Sequence, residues 1–125
     1  MAVDAIIQKG NKILLIKRKC EPEKGKWALP GGHINWDETL ENAVIREVNE
    51  ETNLKVINSC LVAIYSSPNR HPEQMLAAVY VTEVAGSPLA GSDAADIGYF
   101  HAESLPENLA FDHREIIKDY YAKNR

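Results

Sequence analysis

Little in this 125-residue chain would staple it together or anchor it. Cysteine occurs only twice, at Cys20 and Cys60, with no Cys-x-x-Cys or Cys/His cluster around either, which excludes a disulfide scaffold and a structural zinc site. Both read as reduced, structural thiols. No apolar run approaches the roughly 20 residues of a membrane span, and the first ten residues lack a cationic start, a long apolar stretch and a small-residue cleavage site. No membrane partner is expected, and the cytoplasm is the expected compartment. A basic excess is missing too: 18 acidic side chains stand against 14 basic ones, net charge -4, which argues against wrapping nucleic acid through bulk charge. Repeats and low-complexity tracts are absent, which excludes collagen-like and disordered classes. With 45% hydrophobic residues, a chain of this length buries roughly two-thirds of its unfolded surface. Residues 1–125 therefore read as one self-sufficient domain.

The modest net charge hides a strong pattern. Residues 9–26 hold seven basic side chains (Lys9, Lys12, Lys17, Arg18, Lys19, Lys24, Lys26) and two acidic ones, net +5. Residues 37–51 hold six acidic side chains (Asp37, Glu38, Glu41, Glu47, Glu50, Glu51) and only Arg46 in opposition, net -5. Adjacent blocks of opposite sign call for an explanation.

Two apolar runs, 2–7 and 12–17, flank Gln8-Lys9-Gly10-Asn11 and read as a β-hairpin. Residues 27–30 read as a short extended piece stopped by Pro30-Gly31-Gly32, and further strands are expected at 56–66, 75–84 and 97–101. Leu40, Ala43, Val44 and Val48 recur at helical spacing, predicting a helix over 39–52 with Asp37 or Thr39 as its N-cap. A second helix is expected over 113–123, opened by Asp112 with Glu115 in a capping box. Strands around a central helix imply a mixed sheet with helices on its faces, α/β or α+β.

At 100° per residue, Glu47 and Glu51 project on the same side as Leu40, Ala43 and Val44, with Glu50 at the border. A solvated acidic face would have the acids opposite the apolar stripe. Carboxylates crowded within one turn repel and raise each other's pKa, which a divalent cation would relieve. Mg²⁺ and Mn²⁺ take hard oxygen ligands, and Mg²⁺ shares its coordination with substrate phosphates. The substrate is accordingly expected to carry phosphate. Gly31 and Gly32, just before this helix, leave the backbone unobstructed for a ligand or a metal.

The stretch reads Gly32, five residues, Glu38, seven residues, Arg46-Glu47-Val48, one residue, Glu50-Glu51, one residue, Asn53-Leu54. It resembles the Nudix box, the signature of hydrolases acting on a nucleoside diphosphate linked to another moiety. The departure is Asn53, where the family has glycine; asparagine is the next best residue for a left-handed helix C-cap, so an intact site is expected. The resemblance implies an α/β/α sandwich with a mixed sheet over nearly the whole chain. It implies that the Gly32 carbonyl, Glu47, Glu50 and Glu51 ligate Mg²⁺ or Mn²⁺, that Arg46 and Glu38 orient them, and that water attacks a pyrophosphate phosphorus. Glu47 or Glu50 is the first candidate for the base, ahead of Asp93, Asp96 and Glu103. Homodimers are common in the family.

Residues 13–18, 25–32, 65–72 and 109–113 look like the ADP-ribose pyrophosphatase subgroup. Its substrate would be ADP-ribose or a similar nucleotide sugar. The alternatives are a house-cleaning nucleoside triphosphate pyrophosphohydrolase and a nucleotide-sensing module without turnover. Arg18, Lys17 and Arg70 could meet phosphates, since guanidinium forks match phosphate oxygens; Gly31 and His33 could touch substrate, and Trp27, Trp36 or Tyr65 could stack on a base. For each basic residue a solvated surface charge is the competing reading.

Overall fold

The computed structural model describes residues 1–91 and 93–123. Its strands are β1 (Ala2–Ile6), β2 (Gln8–Lys9), β3 (Lys12–Arg18), β4 (Trp27–Ala28), β5 (Gly31–His33), β6 (Lys55–Tyr65), β7 (Ala77–Ala85) and β8 (Ala94–His101), and its helices are α1 (Leu40–Thr52) and α2 (His113–Lys123). One sheet runs β5-β1-β7-β6, with β1 and β7 parallel and the other pairs antiparallel. In the second sheet β3 pairs with β2, β4 and β8, all antiparallel.

Strands covered on both faces need no polar alternation, and that is why these runs read as continuously apolar. The twofold period sorts their residues between two cores. Val3, Ala5 and Ile7 of the first run, with Leu14, Ala78 and Tyr80, pack against Ala43, Val44 and Val48 of α1. Ile6, Ile13, Leu15 and Val79 face the other way, onto Ile116 and Ile117 of α2. The result is the expected α/β/α sandwich with a mixed sheet. Among the described residues no helix is long and apolar enough to cross a membrane.

Three local expectations need correction. The hairpin is only the two residues of β2 against Lys12 and Ile13, because residues 2–6 belong to the other sheet between β5 and β7. The extended piece at 27–30 does not stop at the glycines either. It leaves the second sheet after Ala28, crosses at Leu29 and Pro30, and resumes as β5 against β1, with the Pro30 carbonyl accepting from Ala5 N–H. Proline suits that crossover because it has no N–H to offer a ladder. Asp112, third, does not spend its carboxylate on a capping box; both oxygens accept from Arg70.

At α1 the expectations hold. Thr39 is the N-cap, accepting from Asn42 N–H, and Asn53 takes the left-handed C-cap conformation at φ 60° and ψ 14°. Its side-chain amide also donates to the Leu89 carbonyl. Beside it, Leu89 and Gly91 N–H donate to the Thr52 and Glu51 carbonyls, satisfying acceptors that a helix end leaves open.

Candidate active site

A cavity of about 510 Å³ opens where β5 and the buried side of α1 meet the start of α2. Asp4, Glu47, Glu51 and Asp93 lie at one end beside Gly31 and Gly32, and Arg18, His71 and Phe111 also line it. The helical spacing has therefore done what it promised. Glu51 is buried, Glu47 is half-buried, and Glu50 is turned outward with 47% of its side chain exposed.

Arg46 organises the acids. Its Nε and one Nη donate to the two Glu38 oxygens at 2.6 and 2.8 Å, a bidentate clamp. That same Nη also donates to the His33 carbonyl at 2.9 Å, and the other Nη donates to Glu47 at 2.7 Å and Glu50 at 3.1 Å. Held first by Arg46 and then by Asn35 N–H, the Glu38 carboxyl is lowered to about 2. Glu47 and Glu51 go the other way. Burial raises both; Arg46 partly offsets this at Glu47, and at Glu51 the Gly31 N–H, 2.7 Å away, only partly offsets burial and the nearby charges of Glu47, Asp93 and Asp4. Glu51 is pushed up to about 8.

That shift sets a pH dependence. Without a cation, the folded protein keeps on Glu51 a proton that the unfolded chain, with its ordinary value of 4.5, has released, so stability falls as pH rises from about 5 to 8. Glu38 contributes the opposite slope only below that window. In chelator the Tm should fall between pH 5 and pH 8, and Glu51→Gln should flatten the fall. A flat or rising wild-type profile would contradict the assignment.

The glycines are required by contact. A Cβ on Gly31 would lie 2.1 Å from the Val3 carbonyl oxygen, and one on Gly32 would lie 2.7 to 2.8 Å from the Glu47 carboxylate. Only hydrogen at residue 32 lets that carboxylate sit against the backbone. Among the described residues no three His, Cys, Asp or Glu side chains form a ready cation cage, because Glu47 and Glu50 face Arg46 and Glu51 faces Gly31 N–H. The donor set nevertheless suits a hard divalent cation: all oxygen, with two carboxyls whose raised pKa values such an ion would reverse.

The other sequence candidates divide. Arg18 lines the cavity and spends Nε on the Pro22 carbonyl. Gly31 and His33 also reach the cavity, whereas Lys17 does not line it. Arg70 is there too, but its guanidinium donates to both Asp112 oxygens and to the Met75 carbonyl, so it ties the loop after β6 to the start of α2. Asp93 is the one of the three weaker base candidates that lines the cavity; Asp96 and Glu103 lie outside it. None of the three proposed stacking aromatics is at the site. Trp27 packs edge-on to Phe100 in the core, Trp36 is 96% exposed, and the Tyr65 hydroxyl donates to Asp119.

Asp4, Phe111 and His113 line the cavity, and the sequence reading gave none of them a role of its own. Asp4 is buried within β1, and the buried His113 imidazole lies 3.5 Å from it. Because Leu29 N–H donates to Nδ1 of His113, that nitrogen carries no proton and the neutral ring presents Nε2–H to Asp4. One signal for Asp4 was available: an acid inside an otherwise apolar run.

Comparisons with known proteins agree with this geometry. The chain is 51% identical over 122 residues to an ADP-ribose pyrophosphatase of Methanocaldococcus jannaschii, covering 96% of this chain and 72% of that protein. A MutT NUDIX hydrolase structure from Burkholderia pseudomallei superposes with a TM-score of 0.86 at 32% identity, over 94% of each chain. A bifunctional NMN adenylyltransferase/ADP-ribose pyrophosphatase from Francisella tularensis, solved with AMP and a manganese ion, gives a TM-score of 0.80 at 28% identity, over 98% of this chain and 41% of that one. With the NUDIX domain profile matching residues 1–120, the chain belongs to the NUDIX domain family.

Proposed function

We propose that this protein is a divalent-metal-dependent pyrophosphohydrolase that cleaves ADP-ribose, or a closely similar nucleotide sugar, at its diphosphate. The observation that carries this reading is the pair of inward-facing carboxyls, the half-buried Glu47 and the buried Glu51, held against Gly32 and Gly31 at the floor of an open cavity. The substrate class follows from the 51% identical relative. Gly32 through its carbonyl, with Glu47, Glu50 and Glu51, would hold Mg²⁺ or Mn²⁺, which when bound neutralises the diphosphate and lowers the pKa of a water. Arg46 keeps Glu47 and Glu50 oriented, and Glu38 fixes Arg46. Glu47 lines the cavity and Glu50 does not, so Glu47 is the better placed base for the attacking water, with Asp93 across the same space. Two free, exposed thiols suit a reducing compartment such as the cytoplasm.

Incubation with Mg²⁺ and a nucleotide panel tests the reading. AMP and ribose 5-phosphate should form from ADP-ribose, with chelator abolishing turnover. Nucleoside monophosphate and pyrophosphate from triphosphates alone would move the protein to the house-cleaning class, and binding without products would make it a sensing module.

A further inference from the structure

One part of the cavity is built from rings and a guanidinium. Phe111 lies there with its ring centroid 4.7 Å from that of His71 and only 20° from parallel, and the Arg18 Cζ stands 5.1 Å from the same ring. The backbone of Phe111 sits at φ 51°, in the left-handed region that a bulky side chain disfavours. Such strain persists where the surroundings over-determine it, often at ligand sites. Here His113 supplies the constraint: its ring lies 5.5 Å from Phe111, and it is fixed in turn by Leu29 N–H and Asp4. Phe111 is thus rigidly tied to the acidic floor.

His71 is held differently. It belongs to the surface loop between β6 and β7 and accepts locally, from Glu73 N–H at its ring Nδ1 and from Gln74 N–H at its carbonyl. Burial and Arg70 lower its pKa, so near neutral pH it is an uncharged heteroaromatic ring lying flat on a phenyl face. At 4.7 Å between centroids nothing planar fits between the two rings. A base must therefore displace the imidazole.

We propose that Phe111 is the nucleobase platform of this site, and that the substrate's purine stacks on its ring in the place His71 holds, beside the Arg18 guanidinium. The proposal rests on the nucleotide reading above. Arg18 spends Nε on Pro22, and among the described residues no hydrogen bond engages its two terminal nitrogens. Its charge therefore remains available to a π-system or a phosphate.

Calorimetric binding of AMP and of ribose 5-phosphate to the full chain, alongside ADP-ribose kinetics, tests this. Phe111→Ala should weaken AMP binding about 5- to 100-fold, as loss of one base–aromatic stack does. Ribose 5-phosphate binding should stay within about twofold, and the KM for ADP-ribose should rise with kcat nearly unchanged. Phe111→Trp should restore AMP affinity, and His71→Ala should bind AMP at least as tightly as the unaltered protein. If Phe111→Ala does not fold, Phe111→Leu gives the same comparison, since it keeps bulk without a ring. A folded Phe111→Ala or Phe111→Leu with unaltered AMP affinity would overturn the proposal, as would His71→Ala weakening AMP as much as Phe111→Ala. Loss of AMP affinity on removing the ring, in a protein that turns over no ADP-ribose, would keep the platform and discard the activity. Unchanged AMP affinity with normal turnover would do the reverse.

Discussion

Glu47→Gln should lower turnover of the nucleotide substrate by about two to four orders of magnitude, the range of a lost general base, while the Tm stays level or rises. Two independent features of this carboxylate demand both halves of the result. Catalytically, it touches the Gly32 backbone, lines the cavity and is held by Arg46, so the amide keeps the shape while removing the charge and the proton acceptor. Energetically, burial already disfavours the ionised form, with Glu50 and Asp93 adding to the strain. A neutral amide relieves that cost in the metal-free protein. Glu51→Gln should behave alike. Steady-state rates with Mg²⁺, beside thermal melts in chelator, check both effects. Full activity in a folded Glu47→Gln/Glu51→Gln double variant would end the assignment of these residues.

Gly91→Ala should be the most damaging small substitution outside the acidic cluster. A Cβ there would lie 1.7 Å from the Glu50 carbonyl oxygen and 2.9 Å from the Glu51 Cα, so neither chain can stay in place. Moving them apart breaks the N–H donations from Leu89 and Gly91 to the last turn of α1. Overpacking of this kind costs about 3 kcal/mol or more, which for a chain of this size corresponds to a Tm lower by roughly 10 °C. Because the same segment leads to Asp93 and its partner turn carries Glu50 and Glu51, turnover should fall as well. A variant melting within about 2 °C of the unaltered protein would show that this packing is softer than its geometry says.

Gly91 also shows where sequence reading stops. A lone glycine between Ala90 and Ser92 has no periodicity or pairing to betray it, and its importance lies entirely in what it touches. Arg70 misled for a related reason: an arginine in a polar loop looks available for phosphate until Asp112, 42 residues away, is seen taking its fork. Likewise, an apolar run states that a strand is buried and leaves open which sheet receives it, so residues 2–7 resembled half of a hairpin. By contrast, the direction of Glu47 and Glu51 follows from helix geometry, and the left-handed cap at Asn53 from its side chain. Both were legible because helix rules are local. The acids were found by their neighbours on one helix, and Phe111, Asp4 and His113 were missed because no local rule joins them.

The contact between His113 and Asp4 joins the first strand to the last helix. On either side of it, Trp27 N–H donates to the Asn108 carbonyl, Ala110 N–H to the Trp27 carbonyl, and Leu29 N–H to the His113 ring. During synthesis, then, the emerging polypeptide has its full set of acids once Asp93 is made but no finished pocket until residue 113 has left the ribosome. In the mature protein the same stitching should appear in time as well as space. Amide deuterium uptake at residues 27–29 and 108–113 should slow together when nucleotide binds, as one opening unit.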